Sequence, residues 1–193
     1  MGTSPRMLAG FVQSSLEAID HSDPGLGRKV RDRLKPDSLA TIESAPPIAL
    51  ISVDLDVEVT QCFFDVAGFD RARRTLRDNL RQSVDKPLLR PICEGVFALF
   101  GRSLVRGMRW APRVWELIYR DAGEMVVSAA RKGHLELTLR DIPLVIASSP
   151  TYLYGSAEAF AGFLNLAGVA GRVELIGPDV ASRRAGFEIH WSA

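Results

Sequence analysis

The pattern of apolar residues changes at Gly123, and this change constrains the fold more than any other feature of the chain. After it come two β-rich runs, EMVVSAA and HLELTLRDI, joined by Arg131-Lys132-Gly133, where glycine accepts a positive φ at little cost. The helical segment TYLYGSAEAFAGFLNLA follows, and RVELIG and GFEIHW close the chain. We therefore predict a ββαββ unit over about residues 124–192, with an antiparallel sheet crossed by the helix.

Upstream of this unit, over about residues 4–122, the periodicity is helical. A first helix is predicted from residue 4 to about residue 19, and a second from Asp23-Pro24 to Pro36. Three further helical segments are expected: one begins at Asp70, one is PLLRPICEGVFALF, and one lies in SLVRGMRWAPRVWELIYRDAG and breaks around Pro112. The fold class is therefore α+β, with N-terminal helices followed by the ββαββ unit.

The segment ISVDLDVEVTQCFFDVAG fits two structures. Apolar residues alternate from residue 53 to residue 59 as in a strand, while a helical stripe runs from Leu55 to Phe63. Ser52 as an N-cap and Gly68 as a C-terminal stop favour the helix, which we predict for residues 53–67.

Composition indicates one ordinary globular domain over residues 1–193, with 47% hydrophobic and 24% charged residues. Every apolar run is shorter than the roughly 20 residues that span a bilayer, and the N-terminus lacks a signal-peptide pattern, so we expect a cytoplasmic protein. Cys62 and Cys93 are too few for a disulfide framework.

No catalytic set is recognisable, so we expect a protein that is not an enzyme. Ser156 lies in an apolar helical pattern rather than a nucleophile motif, and His21, His134 and His190 are isolated in sequence, so no metal site is expected. The D-x-D-x-E run would align three carboxylates on a strand, where they could hold a divalent cation. On a helix Asp54 and Glu58 share a face but Asp56 does not, so we interpret the run as a solvated acidic face near a helix N-terminus.

Two groups of residues are candidate binding surfaces. Aromatic residues that could line a pocket for an apolar ligand, with core packing as the alternative, are Trp110, Trp115, Tyr119, Tyr152 and Tyr154. Residues that could form an interface, either within the chain or with a partner or second copy, are Arg73, Arg77, Gly155, Ala159 and Gly162. Nucleic acid is not the expected partner of the Arg-rich helix, because the net charge is only +1.

From about residue 51 to 191 the chain resembles an uncharacterised family of about two hundred residues with many myxobacterial paralogues. The resembling pieces are LLRPICEGVFALFGRS, WAPRVWELIYRDAG, DIPLVIASSPTYLYGSAEAFAGFLNLAG and FEIHW. These are glycine, proline and aromatic landmarks, and the family supplies no activity to transfer.

The order of helices and then ββαββ resembles more remotely the ligand-binding fold of heme nitric-oxide sensors, vinyl-reductase-like 4VR domains and TRAPP vesicle-tethering subunits. This resemblance implies a hydrophobic cavity and often a dimer. Because the Tyr-x-Ser-x-Arg propionate motif, a histidine on a helical face and the 4VR cysteine cluster are missing, we expect no cofactor, and heme in particular is disfavoured. The predicted function is a non-enzymatic sensing or regulatory domain holding a small apolar ligand; the alternative is a protein-interaction or scaffold module.

Overall fold

A computed structural model describes residues 4–83 and 107–192 of the chain. The predicted helix PLLRPICEGVFALF and Cys93 lie outside these ranges. The helices are α1 (Ala9–Ser22), α2 (Pro24–Arg33), α3 (Pro36–Ser44), α4 (Val53–Ala67), α5 (Phe69–Ser83), α6 (Ala111–Ile118), α7 (Leu144–Ala147) and α8 (Pro150–Leu166). The strands are β1 (Arg6–Leu8), β2 (Leu50–Ser52), β3 (Tyr119–Arg120), β4 (Glu124–Arg131), β5 (His134–Arg140), β6 (Gly171–Asp179) and β7 (Arg184–Trp191).

The C-terminal part is an antiparallel sheet with strand order β4-β5-β7-β6. The three leucines at alternate positions of β5 are buried, and Leu137 lies opposite Phe187 of β7. Helix α8 crosses this apolar face, where the Phe160 and Phe187 rings are 5.1 Å apart. This arrangement confirms the predicted α+β class and the ββαββ unit.

Helix α4 confirms the helical interpretation of residues 53–67. The Ser52 hydroxyl accepts a hydrogen bond from the backbone N–H of Asp54 at 3.2 Å. At the other end Gly68 has φ of 78°, a conformation that L side chains rarely adopt. The N-cap and the C-terminal glycine of α4 therefore lie at the predicted residues.

A second, three-stranded antiparallel sheet has the order β2-β1-β3. Its central strand occupies residues that the sequence predicted as the first turn of a helix, and that part of the prediction is wrong. Met7 pairs with Ile51 on one side and with Tyr119 on the other, so long-range hydrogen bonds outweigh the local preference. Helix α1 begins only at Ala9.

Two prolines that were expected to interrupt helices also begin new ones, although α2 does end before Pro36, at Arg33. Pro36 opens α3, and Pro112 lies in the first turn of α6. The first helical turn tolerates proline because its N–H groups have no intrahelical partner. In the described ranges, no helix is both long and apolar enough to cross a membrane.

Candidate functional site: a cavity with a buried polar chain

A cavity of about 320 Å³ lies among the helices and the three-stranded sheet. Its described wall comes from β1, α1, α4, α5, α6, β3, β4 and α8, together with Gly107 and Met108. The volume falls at the lower end of the range of small-molecule pockets, roughly 300–1,000 Å³. The wall is mostly apolar, with only a few polar side chains, which is the usual composition of such pockets.

Three of the five aromatic residues predicted for a pocket line this cavity, namely Trp115, Tyr119 and Tyr152. The Trp115 and Tyr119 rings stack with centroids 3.9 Å apart, and the indole N–H of Trp115 donates to the Gly123 carbonyl at 3.3 Å. These contacts fix both rings in the wall.

The other two aromatic residues, Trp110 and Tyr154, lie outside the described wall. Trp110 precedes α6 and is 37% exposed. Tyr154 packs edge-on against Phe69, with their centroids 5.0 Å apart, and the Arg73 guanidinium lies over its ring.

A chain of hydrogen bonds runs along the wall and ends on a carboxylate. The Tyr152 hydroxyl donates to Asp56 Oδ2 at 2.9 Å, and the Tyr119 and Tyr152 hydroxyl oxygens are 2.7 Å apart. Because the Tyr152 proton is directed at Asp56, Tyr119 must be the donor in the second bond. The wall thus carries one carboxylate with a directed chain of two phenols behind it.

Burial sets the protonation of all three groups. It raises the pKa of Asp56 from 3.8 to about 6, against an opposing effect from the Tyr152 hydrogen bond. Burial, followed by the nearby Asp56 charge, also raises the pKa values of Tyr119 and Tyr152. Both phenols therefore remain protonated donors, while the carboxylate is the group that ionises near neutral pH.

Asp56 was missed as a site residue because the D-x-D-x-E run was read as a solvated face. The helix does separate its carboxylates, since Asp54 is exposed whereas Asp56 is only 8% exposed. Asp56 is three residues after Val53 and seven before Phe63, which are both fully buried. A carboxylate on the buried stripe of a helix was the available signal.

A second buried carboxylate, Glu158 of α8, has a different environment. It is 1% exposed and binds two cations of α5: Arg73 Nε lies 2.5 Å from its Oε1, and Arg77 Nη2 lies 2.6 Å from its Oε2. The two arginines predicted for an interface therefore make a contact within the chain. This ion-pair cluster joins α5 to α8.

The small residues predicted for an interface also lie along α8. A Cβ built on Gly155 would lie 3.4 Å from Leu76 of α5 and 3.6 Å from Thr60 of α4, so the three helices approach closely there. Gly162 is buried, whereas Ala159 is exposed at the cavity rim. The groove thus faces the cavity and neighbouring helices of the same chain.

Two histidines that look isolated in sequence meet across the sheet. His134 and His190 are paired positions of β5 and β7, with their Nδ1 atoms 3.4 Å apart. His134 Nε2 contacts Glu136 at 2.7 Å, and Arg172 binds Glu174 at 2.5 Å. These contacts bring histidines, carboxylates and an arginine of β5, β6 and β7 together on one face of the sheet.

Comparison with solved structures shows that the chain has the fold of H-NOX proteins. A mutant Fe(II) unliganded H-NOX protein from K. algicida matches with a TM-score of 0.67 at 10% identity, covering 97% of each chain. An oxygen-binding H-NOX domain related to soluble guanylate cyclases matches at 0.61 and 16% identity, covering 97% of this chain and 96% of that one. An H-NOX structure described for probing heme distortion matches at 0.60 and 15% identity, covering 96% of each chain. No protein-family model matches the chain, and no curated protein sequence is similar to it.

These matches overturn the expectation that the domain has no cofactor and that heme is disfavoured. That expectation relied on a missing short motif and on the positions of single histidines. The similarity to H-NOX proteins, by contrast, extends over nearly the whole chain, and the descriptions of two matches name heme.

Proposed function

We propose that this chain is a non-enzymatic sensory domain whose cavity holds a small, largely apolar molecule. The observation that carries the proposal is the mostly apolar cavity of about 320 Å³, whose described wall holds the hydrogen-bonded chain of Tyr119, Tyr152 and Asp56. A few placed polar groups in an apolar wall orient a ligand, whereas ordinary core packing fills such a space. The H-NOX fold, which in one neighbour is described as oxygen-binding, supports a sensing role.

Helix α8 provides a route from the cavity to the rest of the domain. Tyr152, Gly155 and Ala159 of this helix line the cavity, while Phe160 contacts Phe187 of the sheet. A ligand that displaces α8 would therefore move the helix against the four-stranded sheet. Such a displacement is the signal that we propose a partner protein reads.

Heme is the first occupant to test, and the described wall fits it only in part. The apolar surface suits a macrocycle, but heme iron also needs an axial ligand. Among the described wall residues, the candidate ligands are the thioethers of Met7, Met108 and Met125 and the phenols of Tyr119 and Tyr152. Burial raises the pKa values of both phenols and so disfavours iron-binding phenolate.

Native mass spectrometry of protein purified from its source tests the proposal directly. We expect one small molecule per chain, and the visible absorption spectrum of the same sample shows whether that molecule is heme. A hemin titration of ligand-free protein, followed by the Soret band and by tryptophan fluorescence, gives an independent answer.

A test variant and a matched control add the same bulk at two places. Ala159→Leu puts a larger side chain at the cavity rim, whereas the control Ala40→Leu puts it at an exposed position of α3 outside the described wall. We expect Ala159→Leu to lose the bound molecule and Ala40→Leu to keep it. If the protein from its source carries no molecule and binds none of hemin, octylamine, octanol and octanoate, the proposal is wrong.

A further inference from the structure

The charge environment of Asp56 indicates the kind of ligand that the cavity takes. The described structure buries two carboxylates, Asp56 and Glu158. Glu158 is neutralised by Arg73 and Arg77, whereas the one hydrogen-bond partner of the Asp56 carboxylate among the described residues is the neutral phenol of Tyr152. Within residues 4–83 and 107–192, one buried carboxylate is thus neutralised by two arginines, and the other lines the cavity with no cation bound to it.

The rest of the described wall offers Asp56 no compensating charge. It contains no lysine, arginine or histidine, and its other polar side chains are hydroxyl groups and the amide of Asn79. The positive end of α4 favours the charged form, because Asp56 lies in the first turn of that helix. An ionised carboxylate beside apolar walls is costly unless a cation or strong donor reaches it.

The phenol chain also determines which ligand groups suit this end of the cavity. The Tyr152 proton is donated to Asp56 and the Tyr119 proton to the Tyr152 oxygen, so both hydrogens are already used within the chain. A carboxylate accepts several hydrogen bonds, and among the described residues Tyr152 supplies one of them. The Asp56 carboxylate therefore keeps acceptor capacity for a ligand donor, and it disfavours a second anion.

We propose that the cavity binds an apolar molecule carrying a protonated amine, with the ammonium group on the Asp56 carboxylate and the hydrocarbon part against Trp115 and the α8 surface. This proposal rests on the proposed function, because it assigns the ligand class of the same cavity. It makes Asp56 the residue that selects the head group, with Tyr152 and Tyr119 holding the carboxylate in place.

Isothermal titration calorimetry with octylamine, octanol and octanoate tests the head group while the hydrocarbon chain stays constant. At neutral pH we expect the wild-type protein to bind octylamine about 10- to 100-fold more tightly than octanol, since charge-assisted hydrogen bonds are the stronger kind. Octanoate should bind most weakly. In Asp56→Asn the preference for the amine over the alcohol should disappear.

Asp54→Asn is the matched control, because Asp54 lies in the same helical turn but is exposed. It should keep the amine preference. In the wild-type protein the octylamine affinity should also fall as the pH drops from about 7.5 to about 5, since protonated Asp56 loses its charge. That second measurement does not depend on any variant folding.

The outcomes separate this inference from the proposed function. If octanol or octanoate binds as tightly as octylamine, or if Asp56→Asn keeps the amine preference, the amine assignment is refuted although the cavity still binds a ligand. The amine assignment is also refuted if the protein binds hemin but not octylamine. If no molecule, hemin included, binds to the wild-type protein, the proposed function itself fails.

Discussion

Replacement of Asp56 by asparagine should stabilise the ligand-free protein at neutral pH. Asparagine has nearly the same shape as aspartate, and its side-chain oxygen can still accept the hydrogen bond from Tyr152. The substitution therefore removes the buried charge and leaves the packing almost unchanged. A buried charge that has no cation among the described residues costs free energy, so its removal should raise the stability of the folded protein.

The pKa of Asp56 sets the size and sign of the effect. Folding raises it from the ordinary value of 3.8 to about 6, and this difference of roughly two pH units is worth about 3 kcal/mol. An acid with a raised pKa in the folded state gives its full stabilising contribution below pH 3.8 and loses it as the pH rises through 6. Wild-type protein should therefore lose about 3 kcal/mol relative to Asp56→Asn between about pH 4 and pH 7.5.

Urea unfolding followed by tryptophan fluorescence at a series of pH values measures this difference. The free energy of unfolding of Asp56→Asn minus that of wild type should be small near pH 4 and reach its maximum above about pH 7. Asp54→Asn should show no comparable change with pH in this range. If the free energy of unfolding of Asp56→Asn minus that of wild type stays constant from about pH 4 to pH 7.5, folding does not raise the pKa of Asp56 and the reasoning is refuted.

The same unfolding assay tests three further features: the Glu158 ion pairs, the Tyr152 hydrogen bond and the backbone at Gly123. Arg73→Ala combined with Arg77→Ala should cost about 2–4 kcal/mol, because Glu158 stays buried without a cation, whereas Glu158→Gln should cost less because both arginines are partly exposed. Tyr152→Phe should cost about 1–3 kcal/mol, and Tyr119→Phe less, since only the former removes the hydrogen bond of Asp56. Gly123→Ala should cost at least about 1–3 kcal/mol, because φ there is 80° and a Cβ would collide with the Arg140 carbonyl. If the double arginine variant is as stable as Glu158→Gln, the role of the ion pairs is contradicted. If Tyr152→Phe is as stable as Tyr119→Phe, the hydrogen bond to Asp56 is contradicted. An unchanged stability of Gly123→Ala would contradict the close approach of the Arg140 carbonyl.

The parts of the fold that the sequence predicts well depend on local signals. Alternating leucines in β5 and the Lys132-Gly133 turn specify the first hairpin without help from distant residues. Ser52 and Gly68 likewise mark both ends of α4. In each case a few neighbouring residues make the hydrogen bond or adopt the backbone angle that defines the element.

The parts that sequence analysis misses depend on residues far apart in the chain. Strand β1 is only three residues long, and its structure comes from Ile51 and Tyr119, which are 44 and 112 positions from Met7. His134 and His190 meet only because β5 and β7 are neighbours in the sheet. No periodicity over a short window records such pairings.

The two buried carboxylates connect the missed residues to the cavity. Glu158 and its two arginines join α5 to α8, and the cavity lies between the same two helices, with Leu76 and Asn79 on one side and Gly155 on the other. The ion-pair cluster thus fixes the separation of two helices that bound the cavity, while Asp56 supplies the polar group in its wall. In sequence Asp56 looks like one carboxylate of the D-x-D-x-E run, and Glu158 like a lone carboxylate in an apolar helical segment. Their partners in the described structure distinguish them, because Glu158 binds two arginines whereas Asp56 accepts a hydrogen bond from a neutral phenol and lines the cavity.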